Sequence, residues 1–272
     1  MDGGDGRTRV TGTVLRMLRA LAGGELFGEA WGRPPAAVVA LHGWRRTHAD
    51  FAGVLGPSAP GGVLSTIAPD LPGFGATPAP SEAWGSSGYA GAVASLIRSG
   101  DGPDGPAVVI GHSLGGRVAV ALAAEHPGLV AALVLTGAPL VPRPGRRSRP
   151  PAAFRAARAL RRLGLIGEDS MERARRRYGS ADYRSAQGVM REVLVRLVNE
   201  SYSDVLSALR CPVELVWGEK DTEAPLAVAE GIRSFVPQAT LTVCSGAGHL
   251  TPIECPGELR AAVERSVAVA RG

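Results

Sequence analysis

Apolar residues fall along this chain in short runs that stop abruptly at glycine or proline. Ala36 to Leu41 is one such run and ends at His42-Gly43; Val63 to Ala68 is another and ends at Pro69-Asp70-Leu71-Pro72-Gly73-Phe74-Gly75. Short apolar, β-branched runs bounded by breakers read as strands buried on both faces. Glu25 to Trp31, Ala107 to Ile110, Val130 to Leu135, Pro212 to Trp217 and Ala239 to Cys244 read as further strands. Between them lie stretches with helical spacing: Arg117 to Glu125, closed by His126-Pro127-Gly128, then Ala224 to Phe235 and Glu258 to Ala270. Strands alternating with helices predict an α/β fold, a mostly parallel, doubly wound sheet covered on both faces.

Residues 141–207 break this rhythm. Pro142, Pro144, Pro150 and Pro151 make a linker, after which the pattern is helical only, with Val189, Val193, Leu194, Leu197 and Val198 on one helix face. The economical division is a core of residues 1–140 and 208–272, with 141–207 inserted between two strands as a helical unit. Residues 1–11 form a polar, Gly-rich leader. Thr13 to Ala22 has the outline of a signal core, but Arg16 and Arg19 interrupt it. No apolar run reaches the ~18 residues needed to span a bilayer, so membrane insertion is not expected.

Composition narrows the partners. With 45% apolar and 20% charged residues in 272, the chain has the make-up of a folded protein rather than a disordered one. The net charge of +5 comes from thirty basic residues of which only Lys220 is a lysine, a bias that an Ala-, Gly- and Arg-rich genome produces by itself. Between Arg143 and Arg177 twelve Arg face only Glu168, Asp169 and Glu172, so the insertion is strongly basic and the rest of the chain acidic. Such a cluster suits an anionic small molecule or, more simply, a solvated Arg-rich helix face. No nucleic-acid signature accompanies it, and nucleic acid is not an expected partner. Cys211, Cys244 and Cys255 are odd in number and lack metal-ligand spacing, which points to a reducing, cytoplasmic compartment.

The candidate chemistry begins at Gly111-His112-Ser113-Leu114-Gly115-Gly116. With 37 Gly in the chain, a bare Gly-x-Ser-x-Gly carries little weight. Its setting carries more, because it joins an apolar strand to a small-residue helix through a turn that only flanking glycines can relieve. That geometry pushes the Ser113 hydroxyl out above the sheet and aims the Leu114 amide, at the start of a helix, toward a developing oxyanion. A serine hydroxyl is a poor nucleophile at neutral pH and needs a histidine base, itself oriented by a carboxylate. Of the five histidines, His42 and His112 flank the turns, His48 lies at a polar helix start and His126 at a helix end. His249, in Ser245-Gly246-Ala247-Gly248-His249 after the last strand, remains as the base. Either Asp221 or Glu219, in Trp217-Gly218-Glu219-Lys220-Asp221, is placed to serve as the acid.

Five motifs stand in one order: His42-Gly43-Trp44, Asp70 to Gly75, Gly111 to Gly115, Gly218 to Asp221, and Gly248-His249 followed by Pro252 and Glu254. In this the chain resembles the α/β-hydrolase superfamily, in its serine-nucleophile branch, from about residue 24 to the C-terminus. The resemblance implies Asp221 rather than Glu219 as the acid, the Trp44 amide as a second oxyanion donor beside that of Leu114, and a pocket walled by Gly43, Trp44 and His112. It also implies that 141–207 is a cap over the site. Arg45 and Arg46 depart from the commonest form of the family.

Serine at position 113 argues against the halide- and epoxide-cleaving relatives, which use aspartate there, and favours hydrolysis of a carboxylic ester or related acyl bond of a small molecule, with an anionic acyl group if the Arg cluster is functional. The alternatives are a carbon–carbon bond hydrolase or lyase, a cofactor-free haloperoxidase on the same residues, and a non-catalytic ligand-binding protein on the same scaffold. No carboxylate or Cys spacing accompanies His42, His112 and His249, so neither a metal nor another cofactor is expected.

Overall fold

Alternation along the strands sets the architecture. The computed structural model describes residues 18–143, 152–178 and 181–271; the Gly-rich leader, the first half of the Thr13 to Ala22 segment and Pro144, Pro150 and Pro151 lie outside them. Eight strands form one sheet: β1 (Arg19–Leu21), β2 (Leu26–Trp31), β3 (Val38–Leu41), β4 (Thr66–Asp70), β5 (Ala107–His112), β6 (Val130–Thr136), β7 (Val213–Gly218) and β8 (Thr240–Cys244), in the order β1-β2-β4-β3-β5-β6-β7-β8. From β4 to β8 every neighbouring pair is parallel, and β1 and β2 run antiparallel at one edge.

Because strand side chains alternate between faces, successive apolar residues feed two cores. Val39, Leu41, Val109, Leu133, Leu135, Leu215 and Trp217 pack on one face with Tyr89, Val93 and Ile97 of α1 (Ser86–Arg98), Val118 and Leu122 of α2 (Leu114–Glu125), and Val228 and Ile232 of the Leu226–Arg233 helix. Val38, Ala40, Val108, Ile110, Ala132, Val134 and Val216 pack on the other, against Phe51, Leu55 and the Leu259, Val263, Val267 stripe of the C-terminal Pro256–Arg271 helix. Both faces are therefore covered, which is why the central strands read as unbroken apolar runs.

Between β6 and β7 the regular elements of the described residues are all helices: α3 (Ala152–Arg162), α4 (Glu168–Tyr178), α5 (Ala181–Ser185), α6 (Gly188–Asn199) and α7 (Ser203–Ser207). Three further helices follow: α8 (Leu226–Arg233), α9 (Thr251–Glu254) and α10 (Pro256–Arg271). No helix among the described residues is long and apolar enough to cross a membrane.

Three features differ from the sequence reading. α1 has no counterpart there, β1 falls in the stretch with signal-core character, and β4 begins three residues later than the apolar run and continues through Pro69 and Asp70. Pro69 is tolerated because β3 pairs with β4 only at Thr66 and Ile67. Past that point β4 has only its antiparallel neighbour β2, with Pro69 opposite Gly28, so the missing N–H breaks no ladder on the β3 side.

The strand order reverses between β3 and β5: the chain winds from β3 out to β4, then returns to place β5 on the other side of β3. A parallel sheet opens a crevice at the carboxyl ends of its strands where this reversal occurs. Here those ends carry His42-Gly43-Trp44 and His112-Ser113.

Arg260 ties the C-terminal helix to the loop after Phe51. Its guanidinium is buried and donates through Nη1 to the carbonyls of Val54 and Gly62 at 3.1 and 2.6 Å and through Nη2 to that of Gly61 at 3.0 Å. Removing it orphans those carbonyls, and an Arg260→Met variant is expected to lose about 2–3 kcal/mol in urea unfolding.

Candidate active site

Ser113 stands at the junction of β5 and α2 with φ +50° and ψ −106°, a conformation that L-residues avoid and that costs roughly 1–3 kcal/mol. The turn is held from several sides. Ser113 N–H donates to the Thr136 carbonyl at 3.0 Å, and Gly115 N–H to that of His42 at 3.0 Å. Glycine is required on both flanks: a Cβ at residue 111 would lie 2.4 Å from the Gly115 oxygen, and one at residue 115 only 2.0 Å from the Leu41 oxygen. The sharp bend is thus the consequence of packing α2 directly against β3 and β5.

His42 pins the neighbouring loop. Its Nδ1 donates to the Gly43 carbonyl at 2.7 Å, and its Nε2 accepts the Leu71 N–H at 2.8 Å, which fixes the neutral Nδ1–H tautomer. Arg46 N–H, at 3.1 Å, is a second donor to the Gly43 oxygen. A trans peptide sends its N–H opposite to its C=O, so the Trp44 amide is turned away from these partners. Gly43 packs close to the elbow, since a Cβ there would lie 3.4 Å from that of Ser113. Asp70, in the Asp70 to Gly75 motif, braces the same region by accepting from the His48 amide, His48 Nδ1 and the Ala76 amide at 2.9, 2.8 and 3.0 Å.

His249 lies between β8 and α9. Its Nδ1 is 2.8 Å from Asp221 Oδ2, and the fully buried Asp221 carboxylate accepts through Oδ1 from the amides of Glu223 and Ala224, each at 2.8 Å. A carboxylate only accepts, so Nδ1 carries the proton and Nε2 is the free nitrogen of the neutral ring. Glu219 is elsewhere: its Oε2 accepts from Ser245 Oγ and the Gly246 amide at 3.0 and 2.9 Å. Of the two acids considered from the sequence, the structure brings Asp221 to His249 and uses Glu219 to hold the loop before it. Glu254 holds both sides of His249, accepting from the Gly248 and Leu250 amides at 2.6 and 3.0 Å. His112 Nε2 donates to the His249 carbonyl at 2.9 Å, joining this loop to the elbow.

Burial disfavours the charged imidazole, but the hydrogen bond to Asp221 and the charge of that carboxylate outweigh it, and the His249 pKa lies above the ordinary 6.5. His42 and His112 differ. Burial without a carboxylate partner pushes each down to about 4, so both are neutral.

Ser113, His249 and Trp44 line two adjoining cavities of about 540 and 310 Å³. The smaller also has Gly43 and His112 on its wall, and the larger Leu114. Leu194, Leu197 and Val198 of α6 and Asp182 of α5 close the larger one from the helical insertion. Four charged groups complete that wall: Arg117 and Arg143 against Asp182 and Glu223. Sequence reasoning missed these. Arg117 is four residues beyond Ser113 on α2 and could have been found by helical periodicity; Glu223, whose exposed carboxylate is 3.5 Å from His249 Nε2, carries no such signal. Among the described residues, the side chains close enough to hold a metal are Cys244, Cys255 and Glu258, a group that includes no histidine.

A strained serine turn, a histidine–aspartate pair and a cleft at the switch point of a parallel sheet define the class as α/β hydrolases. The family profile described as the alpha/beta hydrolase family matches residues 38–262, and the chain belongs to that family. It is similar to the pimeloyl-[acyl-carrier protein] methyl ester esterase of Aromatoleum aromaticum, 30% identical over 253 residues that cover 84% of this chain and 96% of the relative. The esterase of the same name from Chromobacterium violaceum is 31% identical over 242 residues, 82% of this chain and 91% of the relative. A thermophilic esterase from Thermogutta terrifontis shares the fold with a TM-score of 0.66 and 24% identity, over 94% of this chain and 99% of the other. The protein is an esterase-like hydrolase.

The two depressed histidines set a pH dependence of stability. Unfolded, each binds a proton near pH 6.5; folded, only near 4. The unfolded state therefore holds more protons between these values, and the stability that is complete above pH 6.5 is lost as pH falls toward 4, by up to about 3 kcal/mol per residue. The urea midpoint should drop over this interval, and less steeply in His112→Gln.

Proposed function

We propose that this chain is a serine esterase that hydrolyses a carboxylic ester of a small molecule through Ser113, His249 and Asp221. The observation that carries the reading is the 2.8 Å contact between Asp221 and His249 Nδ1, which leaves Nε2 unprotonated, with the exposed Glu223 carboxylate 3.5 Å away, in a cavity that Ser113 also lines. Ser113 Oγ attacks the ester carbonyl carbon as His249 Nε2 takes its proton. The amides of Leu114 and Trp44 stabilise the oxyanion, and the helix start behind Leu114 adds positive potential. His249 then protonates the departing alkoxide. With the acyl group on Ser113, His249 activates a water that releases the acid.

The relatives named as methyl ester esterases support the bond type. We assign residues 141–207 as a lid that shapes the acyl pocket through Leu194, Leu197 and Val198. The Arg cluster enters this reading little. Arg155, Arg158, Arg161 and Arg162 of α3 are exposed, and the wall of the larger cavity balances two cations with two carboxylates, so an apolar, uncharged acyl group fits that cavity best.

A fluorophosphonate should label Ser113, and Ser113→Ala should abolish both labelling and p-nitrophenyl acetate turnover with the unfolding midpoint little changed. Asp221→Asn should lower kcat on the order of 10⁴-fold through loss of the correct tautomer, whereas Glu219→Gln should not approach that loss. Comparable rates for Asp221→Asn and the parent would refute the assignment.

Since the base must be neutral, kcat/KM should rise with pH through an apparent pKa above 6.5, the direction in which Asp221 moves His249. A profile flat from pH 5 to 8 would remove His249 from the role.

A further inference from the structure

Two thiols bracket the segment that carries His249. Cys244 ends β8, and Cys255 stands between α9 and α10. Both are buried and unbridged, and their sulfurs and a Glu258 carboxylate oxygen all lie within 4.8 Å of one another. We propose that Cys244 and Cys255 are a modification site, joined as an intramolecular disulfide by a peroxide, and that the bond reversibly shuts down hydrolysis by moving the His249 loop. The effect on activity rests on the triad reading above; the bond itself does not.

The electron count closes with one peroxide. The Cys244 thiolate, its proton released to water, attacks one peroxide oxygen, breaks the O–O bond and becomes a sulfenic acid while hydroxide leaves. The Cys255 sulfur then attacks the sulfenic sulfur, the S–S bond forms and a second hydroxide departs. The two thiol protons and two hydroxides make two waters; two thiols lose two electrons and the peroxide gains them. Cys244 is the better first nucleophile, since the Cys255 hydrogen bond draws its pKa below the ordinary thiol value, while the same bond and burial raise that of Cys255.

A disulfide brings the sulfurs to about 2.0 Å, closer than any non-bonded approach, and in this proposal the backbone at one end or both takes up part of the difference. That shift is wired to the site. Glu254, next to Cys255, holds the amides on both sides of His249. The Cys244 carbonyl accepts from the amides of Glu219 and Ala247, and Lys220 N–H donates to the Ala247 carbonyl at 2.8 Å. The bond thus pulls on both the loop that carries His249 and the turn that carries Asp221. A displacement of about 1 Å in such a pair costs on the order of 10²-fold in rate.

The test treats the intact protein with hydrogen peroxide and then, in a second aliquot, with dithiothreitol. The expected result is an intact mass lower by two hydrogen atoms, a proteolytic peptide linking residues 244 and 255, and a kcat for p-nitrophenyl acetate lower on the order of 10²-fold and restored by the reductant. Cys255→Ser should form no link and keep its rate in peroxide, and Cys211→Ser should behave as the parent. Oxygen addition without the linked peptide, a link to Cys211, a linked protein of unchanged kcat, or stoichiometric zinc retained on the sulfurs in native mass spectrometry would each overturn the proposal. A linked peptide in a protein with no esterase activity before oxidation would sink the triad reading and leave the bond standing.

Discussion

The constraint on which the site depends is steric: α2 packs so closely on β3 and β5 that the chain has room for only one kind of turn at residue 113. A Cβ at residue 115 would sit 2.0 Å from the Leu41 oxygen, far inside van der Waals contact, so the helix axis is held against the sheet by the absence of side chains. The turn that results forces Ser113 into a left-handed conformation, and the strain is balanced by the two cores on either face. The same closeness lets Gly115 N–H reach the His42 carbonyl. One packing decision therefore positions the serine, the start of α2 and the loop that begins at Gly43.

Around that turn the polar groups that do not react outnumber those proposed to do so. His42 spends both ring nitrogens on backbone, one on Gly43 and one on Leu71. His112 holds the His249 carbonyl, Glu254 holds the amides beside it, and Glu219 holds the turn before it. Loops at a sheet edge have no ladder to satisfy their backbone groups, and each unpaired buried group is costly. Side chains that satisfy them also fix the geometry, to the tolerance that catalysis demands.

How much of this was legible depends on which physical signal each residue leaves. The parallel strands were readable because both their faces are buried, which writes the strand as an apolar run. α1 was not, since its buried face is built from Ala90, Ala94, Tyr89 and Val93 amid Gly and Ser, residues whose pattern alone resembles a loop. β1 buries only Leu21, too little for any periodicity. In the site, Ser113 and His249 were marked by glycines that the backbone needs, and Asp221 was separated from Glu219 only by family resemblance, because two carboxylates in one turn are equivalent until the fold chooses between them. The charged wall of the cavity was invisible for a different reason: Arg117, Arg143, Asp182 and Glu223 come from four separate segments, and nothing local marks their meeting.

On the proposed mechanism the active form gives up some of its stability. A histidine whose folded pKa is raised contributes stability that is complete below its unfolded pKa and lost as pH rises through the folded one. His249, beside Asp221, and His48, hydrogen-bonded to Asp70, are of this kind, while the buried pair His42 and His112 contribute fully only above pH 6.5. The two windows meet near pH 6.5, where these four groups together stabilise the fold most. A base that must be neutral works on the alkaline side of that point, after the attraction between imidazolium and Asp221 has been relinquished. In the proposed mechanism the contact that raises the pKa is then kept for orientation, and its Coulombic part is regained each time His249 takes up the serine proton.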